Sequence, residues 1–144
     1  MVSMKRYEIL EHTADIRVRI FAKKKEDLFV NSAICLFGIL TDKKTDAKKI
    51  RHIELNAAKL DDLLIFWLNE LISVFYSYKF LPVDCTVSID DSPDMKKLVA
   101  KIVGSDFDPY DSKNVKAEVK AATYHNLKIE EDRNGFIAEI IFDV

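Results

Sequence analysis

The chain has 144 residues, with 22 Lys and Arg against 24 Asp and Glu, a formal net charge of −2 and a pI near 5.9. At 49% hydrophobic it is long enough for one good core, and residues 1–144 are read as a single compact domain. The acidic balance argues against a protein that grips nucleic acid by itself, and no run approaches the ~20 continuous apolar residues of a membrane span.

In chain order, Tyr7 to Leu10 and the alternating Ile16, Val18 and Ile20 predict an N-terminal hairpin, with His12-Thr13-Ala14-Asp15 in its turn. The basic runs Lys23-Lys24-Lys25 and Lys43 to Lys49 read as solvated loops. Glu26 to Leu40 carries a helical apolar stripe but no Ser, Thr, Asp or Asn at its start, which predicts a poorly capped first turn. A strand follows around Ile50 to Leu55. The longest apolar helix then runs from about Lys59 to Tyr78, with Asp61 and Asp62 favouring its dipole. Its Leu60, Leu63, Leu64, Trp67, Leu68, Leu71, Ile72 and Phe75 form a stripe broad enough to be the spine of the core, and Phe66 is read with Trp67 as core packing.

Val83, Cys85, Val87 and Ile89 alternate with polar residues, then come the turn residues Asp91 to Asp94 and a second alternating run of Leu98, Ala100 and Ile102, a hairpin signature. Gly104 to Lys113 reads as a loop; its aspartates lack the glycine and closing glutamate of an EF-hand. Val119 points inward, and Thr123, His125, Leu127 and Ile129 share one face of the next strand. Asp132 to Gly135 is a turn, and a last strand runs from Phe136 to Phe142. The class is α+β: mostly antiparallel strands in hairpins with two helices packed on the sheet. Cys35 and Cys85 fall on apolar phases without metal-ligand spacing, so they read as buried reduced thiols, which points to a cytoplasmic location.

Three polar islands stand out: His12 to Asp15, Lys120 to His125, and Phe142-Asp143-Val144. If the first hairpin and the last strand are neighbours, Asp15, Asp143 and the Val144 carboxylate converge, and hard oxygens in one place suit Ca²⁺ or Mg²⁺ rather than zinc. Asp143 shares a face with Ile137, Glu139 and Ile141, where an unpaired buried carboxylate is costly and calls for a partner or a cation. Plainer readings stand beside these. Asp15 fits an ordinary turn carboxylate, His12 either supports activity by orienting Asp15 or sits exposed in a turn, and His125 is either an activity-supporting group or a hydrogen-bonded core residue. Lys120 is either a point charge for phosphates or a surface lysine paired with Glu118. No Ser/His/Asp set or glycine-rich phosphate loop is present.

Four segments in this order, Tyr7-Glu8-Ile9-Leu10-Glu11-His12-Thr13-Ala14-Asp15, Leu63 to Leu71, Val119 to His125 and the closing Phe142-Asp143-Val144, resemble the archease family over nearly the whole chain. The resemblance implies a divalent metal held by Asp15, Asp143 and Val144, and an activity-supporting role for Lys120. It further implies an accessory factor, not itself an enzyme, for the GTP- and metal-dependent RNA ligase of tRNA splicing. Such a factor promotes guanylylation of a ligase histidine and repeated turnover. RNA would be met only through that ligase. Two readings from other classes stay open: a free-standing divalent-metal-dependent phosphoester hydrolase using the same acidic cluster, and a chaperone-like module that binds proteins through an exposed apolar patch.

Overall fold

The computed structural model describes residues 5–12 and 14–144, with residues 11 and 12 described by their backbone alone. β1 (Tyr7–His12) pairs with β2 (Asp15–Ala22) through a register irregularity between Ile9 and Glu11 and leaves Ile9 and Leu10 exposed, whereas β2 alternates, with Ile16, Val18, Ile20 and Ala22 buried while Arg17 and Arg19 face outward. Then follow α1 (Lys25–Leu40), β3 (Lys49–Ala57), α2 (Leu60–Tyr76), β4 (Phe80–Asp91), β5 (Lys96–Asp106), β6 (Ala121–Asp132) and β7 (Gly135–Asp143). The α+β class is as the sequence predicts, but the strands divide into two antiparallel sheets, ordered β1-β2-β7-β6 and β3-β5-β4.

Both helices touch both sheets. That position explains why α2 is buried around most of its circumference, through Leu63, Leu64, Ile65, Trp67, Leu68, Leu71, Ile72, Val74 and Phe75. Trp67 is fully buried, and its indole N–H donates to the Phe29 carbonyl of α1 at 2.9 Å, so its one polar atom is satisfied. As expected, α1 starts without a side-chain cap, and Glu26 and Asp27 in its first turn offset some of that loss. Lys25 bonds Asp91 at the far end of β4, and Lys49 bonds Asp106 at 2.5 Å, so parts of both lysine runs serve as surface ties.

Phe66 is not core: it is 42% exposed, one turn from Asp62 and one turn from Glu70 on the outward stripe of α2. Gly104 lies inside β5, opposite Pro82, instead of in a loop; a Cβ there would meet the Leu81 carbonyl oxygen at 2.0 Å, which only glycine avoids. The same place carries a register slip between Pro82 and Asp84, which turns Val83 outward and breaks its expected phase with Cys85. Gly135, at φ +128°, forms the β6–β7 turn that the sequence predicts. The two thiols are buried and free, and desolvation pushes both up to about 12. In the 107–120 connection, Asp108 and Asp111 accept backbone N–H groups from Tyr110 and Lys113, so these carboxylates shape turns.

Candidate functional site

The long-range pairing that matters is β2 against β7. Their apolar faces fix the register: Ile16 with Phe142, Val18 with Ile140 and Ile20 with Ala138 all point into the core. That register leaves Asp15 directly opposite Asp143 at the end of the ladder, on the outer face, and Ala121 of β6 opposite Asp143 on its other side. Opposed residues on neighbouring strands have Cβ atoms about 4.5–5.5 Å apart. Both aspartates are exposed, so the costly burial expected for Asp143 does not arise; its face of β7 looks to solvent. The structure thus brings the two carboxylates together at a sheet end.

Lys120 joins them through its backbone: its N–H donates to the Asp143 carbonyl at 2.8 Å, and its side chain is exposed. Among the described residues it makes no ion pair with Glu118. Val144 follows Asp143 and is half-buried against the core. The His12 backbone ends β1 opposite Ile16, while its side chain and the whole of Thr13 lie outside the described residues. Among the described residues no three His, Cys, Asp or Glu side chains cluster, so the candidate cation site rests on two aspartates and the terminal residue.

Continuous alternation fails in β6. The strand pairs regularly as far as Thr123 opposite Ile141 and resumes at Lys128 opposite Glu139, so four residues, Tyr124 to Leu127, stand against one on β7. Asn126 absorbs the bend at φ 52°, a left-handed conformation that Asn tolerates. His125 lies in this bulge and is exposed, which removes it from the apolar face predicted for it.

Sequence reasoning missed two side chains that hold the strand. β6 is an edge, and the outward N–H and C=O of Ala122 are both taken by the Asn69 amide of α2, at 2.8 and 3.1 Å. One side chain therefore does what a neighbouring strand would do, and it fixes the segment that carries Lys120. Farther along, the Tyr124 hydroxyl donates to the Asp62 carboxylate at 2.9 Å. Loss of water contact and this bond to a carboxylate raise the phenol above its ordinary pKa.

A hollow of about 700 Å³ opens beside Lys120, walled by Ile72, Tyr76, Tyr110 and Val119. Its rim holds one carboxylate, Glu118, and no imidazole. Asp15 and Asp143 lie outside its lining.

Comparison with known proteins agrees with this fold. The model of the Archease protein family matches residues 7–144. A protein archease of Pyrococcus abyssi is 36% identical, covering 98% of this chain and 100% of its own length; one from Sulfurisphaera tokodaii is 32% identical with the same coverage. The solution structure of Methanobacterium thermoautotrophicum protein 1598 superposes with a TM-score of 0.84 at 27% identity, over 98% of this chain and 100% of that one.

Proposed function

Because the chain belongs to the archease family, we propose that it is an accessory factor that activates the GTP- and metal-dependent RNA ligase of tRNA splicing. It does so by promoting ligase guanylylation and multiple turnover, without being an enzyme itself. The observation that carries this reading is the facing of Asp15 and Asp143 at an exposed sheet end, with Lys120 bonded to Asp143. Like charges directly opposed on a sheet destabilise it, and a bound cation removes that repulsion. The donors are all oxygens, which fits Ca²⁺ or Mg²⁺.

Asp15, Asp143 and Val144 hold the divalent ion in this reading, and the ion supplies positive charge beside the phosphates of the nucleotide. Lys120 contributes a second positive charge to the same phosphates. The exposed position of the aspartates suits a group presented to a partner's site. A self-contained hydrolase instead needs its carboxylates gathered in a substrate-binding cleft, and the hollow beside Lys120 is lined by a single one, Glu118. The residues work in the cytoplasm, where the two buried thiols stay reduced. No helix among the described residues is long and apolar enough to cross a membrane.

The test is ligase guanylylation with the cognate ligase, GTP and divalent metal, with and without the protein. Native protein accelerates it. Asp143→Ala, matched for folding by circular dichroism, leaves the ligase at its unassisted rate. Undiminished stimulation by Asp143→Ala sinks the metal-tip reading, and absence of stimulation by native protein sinks the accessory role.

A further inference from the structure

We infer that Phe66 of α2 and Tyr124 of the β6 bulge form the aromatic anchor by which this protein seats its acidic tip on a basic face of a partner protein. This rests on the preceding reading, in which that partner is the RNA ligase. Phe66 and Tyr124 are 42% and 52% exposed, whereas most of the large apolar side chains of α2 are buried. The two are brought to one place by Asp62. Its carboxylate accepts the Tyr124 hydroxyl at 2.9 Å, and Phe66 stands one helical turn beyond it on the same face.

The Tyr124 ring is held in place. Tyr124 is tethered at its tip by Asp62 and at its base by the Asn69 clamp on Ala122, two residues earlier. A ring held in advance loses little freedom on binding, and Tyr and other aromatics dominate interface energetics when they fill a partner's pocket. The bulge adds residues to an edge strand and, while Leu127 still packs against the core, it turns Tyr124 and His125 to solvent. Bulges of this kind re-aim side chains.

Charge selects the occupant. The helix face around Phe66 carries Asp62 and Glu70, Asp61 lies close enough to act on the Tyr124 hydroxyl, and the strand leads back from Tyr124 to Ala121, opposite Asp143, over about 10 Å of extended chain. With Asp15 and Asp143 the rim holds five carboxylates, against the exposed Lys59 and Lys120. An acidic rim around an aromatic centre repels RNA and fits a protein surface that is itself basic because it binds phosphates. Docking the anchor there delivers Asp15, Asp143 and Lys120 to the partner's phosphate-binding site.

The experiment measures both affinity for the cognate ligase, by biolayer interferometry, and guanylylation across protein concentration. Phe66→Ala and Tyr124→Ala each raise Kd about tenfold or more, and their stimulation recovers at high concentration. Asp143→Ala binds with near-native Kd and stimulates at no concentration. Tyr124→Phe, which keeps the ring and loses the bond to Asp62, falls between native and Tyr124→Ala. Val99→Ala, an exposed apolar residue on the other sheet, changes neither quantity. Native affinity in both alanine variants overturns the anchor while leaving the accessory role intact. Patch-dependent binding by a protein that never stimulates overturns the accessory role and keeps the surface. A native protein that does not bind the ligase overturns the anchor as well.

Discussion

Two stretches of one sheet face treat charge in opposite ways. In the middle of the four-stranded sheet, Arg19 donates to Glu139 at 2.6 Å and to Glu8 at 3.1 Å, and Arg17 reaches Glu139 at 3.4 Å. The bond from Arg19 leads the causes that hold the Glu139 carboxyl below its ordinary range. One row beyond Arg17, at the sheet end, Asp15 faces Asp143 and no described side chain bonds either carboxylate. The same pleat and register thus give a self-compensated row and a row of like charge. The first stabilises the sheet modestly; the second gives up a little stability and presents a charge that something else must balance.

The comparison implies that changes beneath the face and changes at its end have separable consequences. The largest effect on stability belongs to Trp67→Ala, expected to cost about 3–5 kcal/mol by emptying a buried aromatic site. Denaturant melts measure it, and stimulation per folded molecule should stay native. A folded but inactive Trp67→Ala protein breaks the separation.

Next comes the cation. Ca²⁺ at about a hundred times its dissociation constant should raise unfolding stability by about 2.7 kcal/mol through linkage. Thermal melts with and without Ca²⁺ should show this shift in the native protein and in Glu139→Gln, and lose it in Asp15→Asn. An equal shift in all three places the ion elsewhere. Asn69→Ala should cost about 1–3 kcal/mol, since it leaves the Ala122 N–H and C=O without their partner. It should also weaken stimulation through a displaced Lys120, with urea unfolding and guanylylation as the two readouts. An unchanged rate would show that the clamp serves stability alone.

The smallest effect is a pH dependence remote from the tip. Hydrogen bonds from Lys25 and then Lys96 hold Asp91 down at about 2. A depressed carboxylate contributes stability that is fully present above its unfolded value near 4 and is lost as pH falls through about 2. The stability difference between native protein and Asp91→Asn should therefore be constant above about pH 5 and fade across that window. A difference that persists unchanged at pH 2 would discard the ion-pair account.

Most strands were legible because one face of each is apolar, and a period of two survives in a single sequence. The meeting of Asp15 with Asp143 was legible only on the condition that the first hairpin and the last strand are neighbours, as chain termini often are. Four features were hidden. The phase of His125, Leu127 and Ile129 looked continuous because extra residues in a bulge leave no trace in composition. Phe66 sat within a run so apolar that its single outward stripe, marked by Asp62 and Glu70, was lost. Gly104 lay beside Ser and Asp residues that resemble loop chemistry, although its absent side chain admits the Leu81 carbonyl. Asn69 gave no local signal, since the strand it completes is 53 residues away.

The place of β7 between β2 and β6 also has a consequence for how the molecule assembles. Arg19 and Glu139, 120 residues apart, must meet before this sheet has a centre, and contacts of such separation are slow to form. Until β7 pairs with β2, the N-terminal hairpin has an open edge along Asp15 to Ala22. The register that closes this gap is also the one that sets Asp15 against Asp143. Chains slipped by one residue, or still lacking the last strand, therefore present one isolated aspartate instead of a pair. The facing of the two aspartates therefore forms only together with the long-range pairing of β2 and β7.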